Sequence, residues 1–245
     1  MRAAGTLRVA LTAALVAVTA GALALPPGGP AAQERRRGVR DNVWRHPDSA
    51  AFAIRGIAML PAASYDRDLQ AEKLADQLWG ATLRGTGHRW VSSTSTRALV
   101  AAGPGGDSLL RAAAEQALAQ GRADSLLAPE LCRRTRTGAV MTLRVDRWEQ
   151  LKMEFNQAGK PSTTVSLTAA LVDSTGRLLW RISGSETAEG PYHDPRADVV
   201  GVKTTGLGTQ PITGQGGPPS HLEVLNALYA RWKEHVPVPV VPGAR

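Results

Sequence analysis

Hydrophobic and polar positions fall into successive patterns along the chain, and each predicts an element. From Val9 to Leu25 the residues are almost wholly apolar, interrupted by Thr12 and Thr19. Ala51–Leu60 (AFAIRGIAML) is a second apolar run. It ends at Pro61, which suits a strand buried on both faces with Pro at its exit. Over Leu69–Leu83, Ala71, Leu74, Ala75, Leu78 and Trp79 recur at i, i+3, i+4 spacing, behind the caps Ser64, Asp66 and Asp68 and ahead of Gly85. This predicts an amphipathic helix. His88–Ser92 predicts a short strand, so the core opens as a βαβ unit, and the Ser92–Thr96 run reads as a strand exit and turn. After the turn Gly103-Pro104-Gly105-Gly106, Asp107 or Ser108 caps a helix through about Gln120, stopped by Gly121. Pro129 opens a further short helix through Arg134 that carries Cys132.

The period then changes to two. Ala139–Trp148, Thr163–Asp173 and Arg177–Ser185 alternate as three strands of an antiparallel meander, with Asp173-Ser174-Thr175-Gly176 as one turn. Gly190–Ser220 carries seven glycines and five prolines, has no periodicity, and reads as a loop over 190–219, with Asp198–Val202 as a possible short strand. Ser220-His221-Leu222-Glu223 forms a capping box for a last helix striped by Leu222, Leu225, Tyr229, Trp232 and Val236. The expected fold is α/β (α+β). One domain over residues 51–236 holds a mixed sheet of about five strands in the order β-α-β-α-β-β-β-α, with helices packed on one face of the sheet.

Composition changes this picture mainly at the ends. Arg2 and Arg8 precede the first apolar run and small residues follow it, so residues 1–32 read as a secretory signal peptide, cut between Leu25 and Gln33. The run is about 17 residues, at the low limit for spanning a bilayer, so an uncleaved inner-membrane anchor is the competing reading. Periplasmic or secreted localisation follows from the first. The 245-residue chain has a formal net charge of +8; without residues 1–32, 27 basic and 21 acidic residues leave +6. Part of that charge sits in Arg35-Arg36-Arg37, within an Arg-rich linker over residues 33–50. An anionic surface is a possible partner for this run, and a solvated tail is its plainer reading. Residues 237–245 form a Pro-rich tail. The single cysteine excludes an intramolecular disulfide and Cys-rich metal sites. No cysteine lies near residues 20–33, so a lipid-modified N-terminus is not expected.

Chemistry is sparse. The five histidines stand apart and none makes a metal-binding spacing; no G-x-S-x-G elbow and no dinucleotide fingerprint occurs. No catalytic residue, cofactor or metal is expected, and nucleic acid is not expected as a partner. Tyr192, His193, Asp194 and Asp198 are the candidate ligand or partner loop, because an imidazole and carboxylates at this spacing can orient a ligand. On the meander, Thr164, Ser166 and Thr168 share one small, polar face, a candidate partner surface or simply a solvated one.

Three segments resemble a family of bacterial envelope proteins: CsgG-like curli-assembly proteins, the amino-terminal domain of TolB, and lipoprotein activators of penicillin-binding proteins. Ile57-Ala58-Met59-Leu60-Pro61 is similar to the family's opening strand, and Asp68–Leu83 to its first helix. Leu171-Val172-Asp173-Ser174-Thr175-Gly176-Arg177-Leu178-Leu179-Trp180 is similar to its hairpin. The resemblance implies a non-enzymatic domain that binds or assembles with another envelope component, or with its own copies. The alternative is a secreted hydrolase or small-ligand-binding domain with its site in the 190–219 loop.

Overall fold

The computed structural model describes residues 41–48, 52–54, 56–154, 157–193, 202–205, 208–211 and 217–238. The expected signal segment, the Arg35-Arg36-Arg37 run, Asp194 and Asp198 lie outside the described residues. In chain order the elements are β1 (Asn42–Arg45), β2 (Ile57–Met59), β3 (Ala63–Ser64), α1 (Leu69–Leu83), β4 (Trp90–Val91), α2 (Ser93–Ala101), α3 (Gly106–Gln120) and α4 (Ala128–Thr135). Then follow β5 (Ala139–Leu151), β6 (Ser162–Asp173), β7 (Leu178–Glu189), β8 (Val202–Thr205), β9 (Gly208–Pro211) and α5 (His221–Lys233).

Seven strands make one mixed sheet in the order β1-β7-β6-β5-β2-β4, with β3 pairing further along β5; β8 and β9 pair separately. β2 lies parallel to both β4 and β5, whereas β5, β6, β7 and β1 run antiparallel in succession. The βαβ start and the meander therefore stand as expected. Asn42–Arg45, within the stretch expected as linker, adds the edge strand β1 beside β7.

The burial of β5 shows how the layers are arranged. Ala139–Leu143 are buried without a break, and the pattern becomes intermittent from Arg144 onward. On one face Met141, Leu143 and Val145 pack with Val165, Leu167 and Leu171 beneath α1 and α5. On the other, Val140 and Val172 pack with Val100, Ala113, Leu131 and Cys132 of α2, α3 and α4. Helices thus cover both faces, not one as expected. The α2–α4 layer reaches only the first half of the meander, so β5 begins as a doubly buried strand and ends as a one-sided one.

Aromatic side chains fill the α1–α5 layer. Trp79, Tyr229 and Trp232 meet with ring centroids 5.0–6.0 Å apart, and all three are buried. Their polar atoms are satisfied: Trp79 Nε1 donates to Met141 sulfur at 3.1 Å, and Tyr229 Oη to Ala75 O at 3.2 Å. Trp180 completes the same core from β7. The turn before it is set by Asp173, whose Oδ1 accepts from Thr175 N, Thr175 Oγ1 and Arg177 N, while Gly176 takes φ +82°.

The caps follow the sequence. Asp68 accepts from Gln70 N and Ala71 N, and Ser220 Oγ accepts from Glu223 N. α3 ends at Gly121 with φ +71°. The run Ser92–Thr96 departs from expectation. Ser92 Oγ accepts from Ser95 N and begins α2 instead of a turn. Its first four residues are Ser or Thr, poor helix formers, so local propensity hid a helix that Val100 anchors in the core.

β1 is held by charge. Asp41, its side chain 5% exposed, accepts from Arg231 Nε at 2.6 Å, Arg231 Nη2 at 3.0 Å and Trp232 Nε1 at 3.1 Å. Arg231 also pairs with Glu186 of β7. Gly184 permits this approach, because a Cβ there would lie 2.0 Å from Asp41 Oδ1. Asp41→Ala should therefore destabilise the domain by about 1–3 kcal/mol, since it leaves the Arg231 and Trp232 donors short of an acceptor. The urea unfolding midpoint measures this; an unchanged midpoint would show that β1 contributes nothing to the fold.

Candidate functional site

The topology opens one crevice of a recognised kind. From the carboxyl end of β2 the chain passes to α1 on one face, and from that of the neighbouring, parallel β4 it passes to α2 on the other. Where adjacent parallel strands send their connections to opposite faces, the loops diverge and leave a gap beyond the strand ends. That gap is a cleft of about 550 Å³ between α1 and the start of α2. Its size is that of small-molecule sites.

The floor is Met59, Pro61 and Ala62 at the β2 exit, with Trp90 from β4 and Gly80 from α1. The walls carry Glu72, Lys73 and Asp76 on α1, Arg84 at its C-cap, and Ser93 and Arg97 on α2. Helical spacing puts the α1 groups on one side, because positions 73, 76 and 80 recur three or four residues apart. A second cleft, of about 570 Å³, runs on the far side of Pro61 and Ala62 beneath α3 and shares Glu72 and Arg97 with the first.

Asp76 is the polar centre. Its Oδ1 accepts from Ala62 N at 3.0 Å, and the Ser93 hydroxyl also hydrogen-bonds to it. The carboxyl thus ties α1 to the β2 exit and to the first turn of α2. Burial raises its pKa to about 6, against the lowering effects of Ser93, Ala62 and the Arg97 charge. Glu72 is committed to the same scaffold: its Oε1 accepts from Ser64 N at 2.9 Å and Ser64 Oγ at 3.1 Å. Chemically this arrangement holds and orients; the donors around both carboxylates belong to the fold itself.

Gly80 stands inside α1, where Gly costs about 1 kcal/mol relative to Ala. A Cβ there would meet only the Met59 side chain, Cε at 3.9 Å and Sδ at 4.0 Å, ordinary contacts. No turn, positive φ or close backbone approach accounts for it; its effect is to leave room in the cleft over Met59.

The residues singled out in the sequence lie elsewhere. His193 is 7% exposed and pinned by a β-bridge, its N donating to Gly159 O at 2.7 Å, while Tyr192 beside it is exposed. Asp194 and Asp198 fall outside the described residues, so the structure does not bring that loop together as a group. Thr164 and Ser166 are half-buried, on the half of the sheet that α2–α4 leave uncovered, bonded to Thr187 Oγ1 and Gly184 O. Thr168 is 2% exposed and donates to Asp146 Oδ2 at 2.6 Å, which removes it from the expected solvent-facing surface. Asp146 is in turn paired with Arg144 at 2.5 Å. Burial of Cys132 pushes its thiol up to about 11, as befits a small hydrophobe and not a nucleophile. Sequence reasoning missed Asp76, Ser93 and Arg97. One signal was present: the isolated Gly80 inside a helical pattern.

No family model matches the chain, and no curated protein matches it. Among solved structures it is similar to the PelC dodecamer from Paraburkholderia phytofirmans, at TM-score 0.37 and 17% identity over 61% of this chain and 83% of that one. It is similar to lipoprotein GNA1162 from Neisseria meningitidis, at TM-score 0.40 and 18% identity over 74% and 99%. For the hypothetical protein CT253 from Chlamydia trachomatis the TM-score is 0.37, with 14% identity over 74% and 97%. Likeness at this level assigns neither ligand nor assembly.

Two outcomes follow from the cleft. Asp76 holds its proton more tightly folded than unfolded, so its contribution to stability is present below about pH 4 and lost as the pH rises to about 6. The difference in Tm between the wild type and Asp76→Asn should change across that window and stay level above it; a difference independent of pH would refute the buried carboxyl. Gly80→Ala should stabilise the protein by about 0.5–1 kcal/mol through helix propensity alone. A loss of stability on denaturation would show that Gly80 serves the packing of α1.

Proposed function

We propose that the chain is a non-enzymatic binding domain exported to the bacterial envelope, and that it engages an envelope component at the cleft beyond β2 and β4. The observation that carries this reading is the cleft itself, an open crevice at the topological reversal of the sheet, lined by a few convergent polar groups over an apolar floor. Binding is favoured over turnover because Asp76 and Glu72 already receive donors from Ala62, Ser93 and Ser64. Export rests on the basic start and apolar run of residues 1–32. The resemblance of Ile57–Pro61, Asp68–Leu83 and Leu171–Trp180 to the CsgG-like and TolB-like envelope family supports the same compartment.

A second reading, assembly with its own copies, is favoured by β1. This short strand ends the sheet order, pairs only with β7 among the described residues, and carries Trp44 at 43% exposure. An edge of this kind can accept another strand.

Affinity capture from envelope extract, run in parallel with wild type and Gly80→Leu, tests the first reading. A component retained by the wild type and lost from the filled cleft is expected. A component retained equally by both would place binding elsewhere, and a light-scattering mass above the monomer would then point to β1. N-terminal sequencing of the mature protein should find a start between Leu25 and Gln33; an intact N-terminus would contradict cleavage.

A further inference from the structure

The charges around the cleft are unequal in a way that selects a ligand. Its two carboxylates are engaged within the fold, Glu72 by Ser64 and Asp76 by Ala62 and Ser93. Its three cations are not. Lys73 on α1, Arg84 at its C-cap and Arg97 on α2 make no hydrogen bond or ion pair among the described residues, although the Arg97 charge acts on Asp76. Some arginines elsewhere are tied down: Arg134 donates to Glu130 and to the carbonyls of Val100 and Pro104, Arg144 pairs with Asp146, and Arg231 with Asp41 and Glu186. Others, such as Arg136 and Arg181, are as uncommitted as those of the cleft, so what sets Arg84 and Arg97 apart is that both line one crevice over an apolar floor. Uncommitted guanidinium groups on facing walls of one crevice suit a carboxylate or phosphate, which they bind in a planar, bidentate fashion.

The floor adds a second requirement. The buried Met59 lies beneath Gly80 in the cleft lining, beside Pro61, Ala62 and the half-buried Trp90. The Trp90 ring is oriented by its Nε1 donating to Thr86 Oγ1 at 3.0 Å. A bare inorganic anion would leave this apolar floor wet, whereas an apolar body attached to the anion would cover it.

Building on the cleft reading above, we infer that the α1/α2 cleft binds a molecule carrying an anionic group on an apolar body. Arg97, Arg84 and Lys73 receive the anion, and Met59, Gly80 and Trp90 receive the body. The proposal names a ligand chemistry common to a carboxylate and a phosphate ester, and the test separates the two.

The experiment titrates the protein with phenyl phosphate, benzoate, inorganic phosphate, benzyl alcohol and benzylamine. Tryptophan fluorescence and the indole N–H resonance of Trp90 are followed at the millimolar concentrations suited to ligands this small. Saturable binding of phenyl phosphate, benzoate or both is expected, tighter than that of the neutral, cationic and inorganic probes. Arg97→Glu should weaken it about fivefold or more, and Gly80→Leu should abolish it while circular dichroism stays that of the wild type. The stronger of the two anions identifies the head group. If benzyl alcohol or benzylamine binds as tightly as the anions and Gly80→Leu still abolishes binding, the cleft reading stands and the anionic class is overturned. If no probe saturates, or if Gly80→Leu and Arg97→Glu leave anion binding unchanged, both are overturned. Should Gly80→Leu fail to fold, Arg97→Glu and Arg84→Glu together decide the outcome.

Discussion

The reversal of chain direction around β2 is the constraint on which the rest of the architecture depends. This three-residue strand is wholly buried, with parallel neighbours β4 and β5 on either side. Reaching β4 takes the chain through α1 on one face; returning past β2 to β5 takes it through α2, α3 and α4 on the other. So short a strand cannot be stable alone. Both of its faces must be covered, and the helical layers and the doubly buried first half of β5 exist to do so. The cleft is the geometric remainder, because diverging connections cannot fill the space beyond the strand ends.

The two faces are stabilised differently. The α1–α5 face is rich in large side chains, with Trp79, Trp180, Tyr229 and Trp232 in contact with the long β5–β7 meander. Truncating any one of them would remove about 3–5 kcal/mol on the usual scale of aromatic core deletions. The α2–α4 face is built from Ala, Val and Leu and relies on polar ties. Arg134 caps the carbonyl of Val100 and holds Pro104, and Thr142 Oγ1 donates to Gly121 O at 3.1 Å. Because this thinner layer stops short, the far half of the sheet stays half-exposed, with Thr164, Ser166 and Thr187 on it. The cleft lies where the two layers diverge, and Asp76 joins them through Ala62 and Ser93.

Much of the fold was legible in the residues. Helical spacing placed α1 at Leu69–Leu83, Gly121 marked the end of α3, and the period-two pattern placed the meander. The turn chemistry of Asp173 and Gly176 appears in the structure as read. What was not legible depended on tertiary contact. Ser93–Ala101 forms a helix against its local propensity because Val100 is buried. Asn42–Arg45 joins the sheet because Asp41 finds Arg231 some 190 positions away. The covering of both sheet faces was hidden for the same reason, since alternation shows which residues share a face and not what covers it. The site was harder still. Asp76, Ser93 and Arg97 are ordinary surface residue types in sequence, and only the divergence at β2 and β4 makes them neighbours. Thr168 reads as a solvent-facing residue until the structure shows it bonded to Asp146.

The central claim is that the divergence at β2 and β4 creates the binding surface. Site-specific photo-crosslinking in living cells tests it most directly, with the reactive group placed at Ala81 in the cleft or at Thr187 on the open half of the sheet. The account predicts a specific adduct from Ala81 and none of comparable yield from Thr187. An adduct from Thr187 with a silent Ala81 would contradict it and move function to the face of the meander.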